Sequence, residues 1–109
     1  MALKFLNWTA AATTVQAAGA DHETAPRLVV GGLNTVTGAD GKAGMALADK
    51  PKLSESCRVY NSGPAPLLVY PTPDGSINGG RTGEPVRLPP GCYALFECVD
   101  GPNWCYLHS

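Results

Sequence analysis

Long apolar stretches are absent from this sequence. No run of about eighteen apolar residues occurs in its 109 residues, so no membrane-spanning helix is encoded. An excess of one charge is missing too. Eight Lys and Arg against nine Asp and Glu leave a formal net charge of −1, without the basic surplus that a nucleic-acid clamp needs. Aromatic residues make up only 7%, barely enough to furnish one core. Histidine occurs twice, as His22 and His108, and neither sits near a Ser or Cys in a Gly-flanked elbow. Both are expected as solvated side chains, one on an arm and one on a tail. The carboxylates are scattered singly, which gives no acid–base pair. The glycines of Gly79-Gly80-Arg81-Thr82-Gly83 lack the Lys-Ser or Lys-Thr that completes a phosphate loop. Together these absences argue for a protein that is not an enzyme, needs no cofactor, and binds neither nucleic acid nor membrane.

What is present is a small, loop-rich domain. Glycine (13) and proline (10) are abundant, and 14 of the hydrophobic residues are alanine, so only one modest core is available. Residues 1–26 form an Ala/Thr-rich arm with Phe5, Leu6 and Trp8 near its start. A helix over Ala10–Ala18 is disfavoured by Thr13-Thr14-Val15 and Gly19. The arm either docks on a partner or packs as a strand on the chain's own core. Lys4, Asn7 and Gln16 interrupt any signal-peptide core in Met1–Ala20, so synthesis in a reducing compartment is expected.

Residues 27–109 carry β punctuation. Leu28–Val30 is a short apolar run stopped by Gly31-Gly32, and Leu33–Thr37 alternates. Ser56–Tyr60, Pro66–Tyr70, Pro85–Leu88, Cys92–Val99 and Asn103–Leu107 follow, each bounded by turn residues. Met45–Leu53 is ambiguous because Pro51 breaks any helix begun at Ala46. Turn signals every 8 to 12 residues predict an all-β fold, a small antiparallel β-sandwich or barrel with an extended N-terminal arm.

The last hairpin permits a register. With residues 100–103 as its loop, Val99 pairs with Trp104 and Cys98 falls opposite Cys105. The core face is then Cys92, Ala94, Phe96, Cys98, Cys105 and Leu107. Tyr93, Leu95, Glu97 and Val99 share the other face of their strand, and Trp104 and Tyr106 lie on that other side, available to a partner. A one-residue slip reverses the assignment.

Cys92, Cys98, Cys105 and His108, with Cys57, nominally suffice for zinc. No pair has the short spacing that presents two thiolates from one turn, so no metal site is expected. The cysteines are expected as buried thiols, and Cys98–Cys105 is the candidate disulfide if oxidation occurs. Tyr60, Tyr70, Tyr93, Trp104 and Tyr106, with Asp and Asn side chains, also suit a carbohydrate-binding domain.

The segments Asn61–Gly80 (NSGPAPLLVYPTPDGSINGG), Val86–Gly91 (VRLPPG), Ala94–Val99 (ALFECV) and Asn103–Leu107 (NWCYL) form an ordered series. It runs Asn-x-Gly, an apolar strand closing in Val-Tyr-Pro, a turn to Ile-Asn-Gly, Leu-Pro-x-Gly, an aromatic strand and a terminal Trp. The series resembles the β module of small virion structural proteins of tailed bacteriophages, which include head decoration (cement) and head-fibre proteins. Leu33–Thr37 resembles the strand that often opens such modules. The four cysteines and the long arm depart from the pattern.

The resemblance implies a structural protein made in the host cytoplasm and carried on the outer surface of the capsid. Its partners are then the major capsid protein and copies of itself, as a homotrimer at local three-fold axes. Phe5, Leu6 and Trp8 are the expected apolar anchor, and Trp104 and Tyr106 the second contact. The alternative is a carbohydrate- or receptor-binding module of a head fibre or tail.

Overall fold

A computed structural model describes residues 12–109. Phe5, Leu6 and Trp8 lie outside that range. Eight strands follow one another: β1 (Ala12–Gln16), β2 (Leu33–Thr37), β3 (Gly44–Ala46), β4 (Ser56–Asn61), β5 (Leu67–Tyr70), β6 (Val86–Leu88), β7 (Tyr93–Asp100) and β8 (Asn103–His108). They build a sandwich of a five-stranded sheet, β1-β2-β4-β7-β8, and a three-stranded sheet, β3-β5-β6. Among the described residues there is no helix.

The all-β sandwich is as expected, but both sheets are mixed. β1 with β2, β2 with β4, and β3 with β5 pair in parallel, whereas β4–β7, β5–β6 and β7–β8 are antiparallel. Parallel neighbours need a crossover rather than a hairpin. Here each crossover between strands of the large sheet runs by way of the small one. Residues 17–32 form a strap that bridges β3 at Ala18–Gly44 and Arg27–Ala46, and residues 38–55 contain β3 itself. The turn signals mark where the chain reverses and are silent about which sheet it enters next.

Residues 12–26 pack on this core rather than extend from it. β1 is an edge strand, Val15 packs against the core and Ala17 is buried in it. Val36, Val59, Phe96 and Trp104 from the large sheet meet Met45, Leu47, Leu67, Val69 and Leu88 from the small sheet and its flank. A satellite cluster of Ala25, Ala46, Leu68 and Tyr70 lies on the other face of β5, beneath the strap. With both faces covered, β5 is buried at all four positions, which explains why it is uninterruptedly apolar.

Two buried asparagines tie the loops down. Asn34 Oδ1 accepts the Val29 N–H at 2.9 Å, and its Nδ2 donates to the Val29 and Arg58 carbonyls, each at 3.0 Å. Because the side chain takes both main-chain groups of Val29, Leu28–Val30 is a bound loop rather than a ladder strand. Asn61 closes β4: its Nδ2 donates to Ala65 O at 2.9 Å and Leu88 O at 3.0 Å, while Oδ1 accepts the Gly63 N–H at 2.9 Å. Gly63 must lack a side chain, since a Cβ there would lie 2.6 Å from the Ala39 nitrogen. The Asn-x-Gly motif thus has a packing cause.

The β7–β8 hairpin corrects the predicted register. Asp100 pairs with Asn103 across Gly101-Pro102, with Gly101 at φ +54°, as a primed hairpin turn requires at its first central residue. The register then shifts at a bulge between Cys98 and Asp100. Cys98 pairs with Trp104, Glu97 with Cys105, Phe96 with Tyr106 and Leu95 with Leu107. The bulge absorbs Val99 and lets Cys98 and Trp104 both face inward. Burying the indole removes far more apolar area from water than burying Cys105, which favours this register.

Candidate partner-binding face

The outward side of the large sheet collects its apolar side chains through register alone. Thr14, Thr35, Tyr60 and Tyr93 form one row, and Ala12, Leu33, Arg58, Leu95 and Leu107 the next. Ser56, Glu97 and Cys105 form a third. Tyr60, Tyr93 and Leu95 are exposed, and Leu107 is 78% exposed. Beside them lies a groove of about 390 Å³ lined by Asn78, Leu95, Glu97, Cys105, Tyr106 and Leu107. Exposed aliphatic and aromatic side chains gathered on one face, with charged neighbours, have the composition of an interaction surface.

Residues 76–78 are hydrogen-bonded along the β8 edge of this face. Trp104 N–H donates to Ser76 O, and Asn78 N–H donates to Trp104 O, both at 2.8 Å. The Asn78 side chain continues the pairing, with Oδ1 accepting Tyr106 N–H at 2.8 Å and Nδ2 donating to Tyr106 O at 3.1 Å. Tyr106 itself stacks on Phe96 at 4.9 Å between centroids and on His108 at 5.6 Å.

These positions revise several expectations. Trp104 is 1% exposed, so it is a core residue and no contact for a partner. Tyr106 is half-buried and occupied by its ring neighbours, though one side lines the groove. Cys98 is buried and Cys105 exposed, and the shifted register puts them on opposite faces of the sheet, so no Cys98–Cys105 disulfide forms in this arrangement. Leu107, assigned to the core, is instead the most exposed of the large hydrophobic residues on the face. Sequence reasoning placed Tyr93, Leu95, Glu97 and Val99 together on the side away from the β7 core. It missed their partners on β8 because nothing in Cys98-Val99-Asp100 announces a bulge.

His22 is also corrected: it is buried, not solvated. Its Nε2 lies 2.8 Å from Leu47 O, an acceptor only, so Nε2 carries the proton. Asp49 Oδ1 lies 3.4 Å from the same nitrogen and accepts from Arg27 Nε at 2.8 Å. Arg27 also donates to the Ala25 and His22 carbonyls. The group therefore fastens the strap over β3. A cleft of about 460 Å³ beside it is lined by Asp21, His22, Tyr70, Arg81 and Glu84, among others, with both charge signs present. Within the strap, the Thr24 hydroxyl and amide hold the Asp21 carboxyl below the usual carboxylate range. That contribution is present above the unfolded-state pKa and disappears as acid protonates the group. No cluster of three or more His, Cys, Asp or Glu side chains suited to a metal occurs among the described residues.

The thiols divide by burial. Desolvation pushes the Cys57 thiol up to about 12 and raises that of Cys98 as well. Cys105 lies open on the outer face and Cys92 is half-buried. With a thiol reagent near neutral pH, Cys105 is expected to react first in the folded protein, and Cys57 only after denaturation. Peptide mapping of the labelled chain checks this; early labelling of Cys57 would contradict the burial.

In comparisons with known proteins, the chain matches no family model, no curated protein and no solved structure.

Proposed function

We propose that this chain is a decoration (cement) protein of a tailed bacteriophage head, bound to the outer surface of the mature capsid as a trimer at local three-fold axes. The outward set of Tyr60, Tyr93, Leu95 and Leu107 on a regular sheet carries this reading, because it offers apolar area without any rearrangement of the core. The motif series supports it. Asn61 closes β4, Asn78 caps β8, and Leu88, Phe96 and Trp104 fill the core, so the residues behind the resemblance are scaffold residues. Phe5, Leu6 and Trp8 are proposed as a second anchor. Many identical sites on a shell make modest interfaces sufficient, since a closed trimer engages several subunits at once. A ligand that binds only the mature shell stabilises it by mass action.

Co-sedimentation with heads lacking the protein tests the proposal. Saturable binding at about three chains per local three-fold site is the expected result. Leu107→Lys and Leu95→Lys together are expected to weaken binding by about tenfold or more while leaving the thermal midpoint nearly unchanged, because both side chains already face solvent. Absence of binding to heads, with binding to a bacterial surface polysaccharide, would instead favour the carbohydrate-binding alternative.

A further inference from the structure

Asn78-Gly79 is the only Asn-Gly pair in the sequence, and the fold uses it at a sensitive place. Asn78 is exposed, and both residues have positive φ, +53° and +72°. Among the described residues, nothing lies within 4 Å of where a Cβ on Gly79 would sit. Asparagine is thermally labile, and a following glycine leaves its carboxamide open to attack by the next backbone nitrogen. Yet here the carboxamide is engaged elsewhere: it is held by the Tyr106 N–H on one side and the Tyr106 carbonyl on the other.

We propose that Asn78-Gly79 is a self-modification site gated by the β8 edge. Ring closure proceeds only when the side chain has released Tyr106, and its product cannot restore the clamp. In the step itself, the Gly79 nitrogen attacks Asn78 Cγ. The new N–Cγ bond replaces the Cγ–Nδ2 bond, and the Gly79 amide proton leaves with Nδ2 as ammonia. Water then opens the cyclic imide at either carbonyl, giving an aspartyl or an isoaspartyl residue. Either product loses the Nδ2 donor. The aspartyl product sets a carboxylate oxygen against the Tyr106 carbonyl, and the isoaspartyl product moves the carboxylate by one backbone methylene.

The test incubates the full-length protein in mildly alkaline buffer, folded and in urea, and follows conversion by peptide mapping. Conversion of the folded protein is expected at Asn78 ahead of the other asparagines. It should run about tenfold slower than in urea, the population factor set by opening two hydrogen bonds. The converted fraction should lose hydrogen-exchange protection at the Tyr106 amide. Equal rates in the two states would overturn the gating, as would earlier conversion at another asparagine. Retained Tyr106 protection after conversion would overturn the claim about the product. Asn78→Asp supplies the aspartyl product directly: it keeps an acceptor for the Tyr106 N–H but sets a carboxylate oxygen against the Tyr106 carbonyl. Tyr106 protection is therefore expected to fall, by less than in the isoaspartyl fraction; should that variant not fold, the converted wild-type fraction gives the readout.

Discussion

Asn61→Ala is expected to lower the unfolding free energy by about 4 kcal/mol, since each buried polar group left without a partner costs about 1–3 kcal/mol. Asn61 is fully buried and serves three partners. Truncation strands the Gly63 N–H and removes the donor from the Ala65 and Leu88 carbonyls. One of these belongs to β6, so the side chain is a polar tie between the two sheets. For a domain whose total stability is about 5–15 kcal/mol, that loss leaves little reserve. Urea unfolding should show a lower midpoint with an unchanged slope. Asn61→Asp should rescue little: it keeps an acceptor for Gly63 but points a carboxylate at two carbonyls. A loss below about 1 kcal/mol in Asn61→Ala would mean that water replaces all three bonds, and the tie would not exist.

Much of this fold was legible in the sequence where local signals suffice. Leu33–Thr37 is the observed β2, and the later strands match their predicted runs to within a residue or so at each end. Alternation and turn chemistry are local properties, so those elements could be read directly. β3 escaped because it has three residues, Gly-Met-Ala, too few for any period to show. Pairing direction escaped because it depends on the route between the sheets. Leu28–Val30 was misread because the competitor for its main chain, Asn34, acts through a tertiary contact once β2 has formed.

The candidate face shows the same division. The parity of β7 was readable, so Tyr93 and Leu95 fell on one side together. The β8 half was inverted by one bulged residue, which exchanged Trp104 for Leu107 on the surface. His22 was misjudged for a related reason: Asp21-His22-Glu23-Thr24 is polar, yet the strap presses the imidazole against the Leu47 carbonyl. Local polarity cannot report a contact that two distant bridges enforce.

The register of the last hairpin can be decided by two substitutions at Trp104. Trp104→Ala is expected to cost about 4 kcal/mol, in the range for emptying an aromatic site in a packed core. The indole lies in the main cluster with Cys98, Ile77 and Phe96. Trp104→Phe should cost much less, about 1–2 kcal/mol, because part of the volume is kept. It also removes a buried Nε1–H that has no hydrogen-bond partner among the described residues, a group whose desolvation opposes folding. Leu107→Ala should fall within about 0.5 kcal/mol of wild type, since its side chain already faces solvent. The unbulged register makes the opposite forecast at both positions: tolerant at Trp104, costly at Leu107. Thermal or urea unfolding of these three variants separates the two registers, and capsid binding adds an independent axis. With Trp104 inside, Trp104→Phe should leave binding unchanged in a protein that still folds, whereas Leu107→Lys should weaken it. A folded Trp104→Phe protein that no longer binds heads would return the indole to the partner surface and remove Leu107 from the proposed contact.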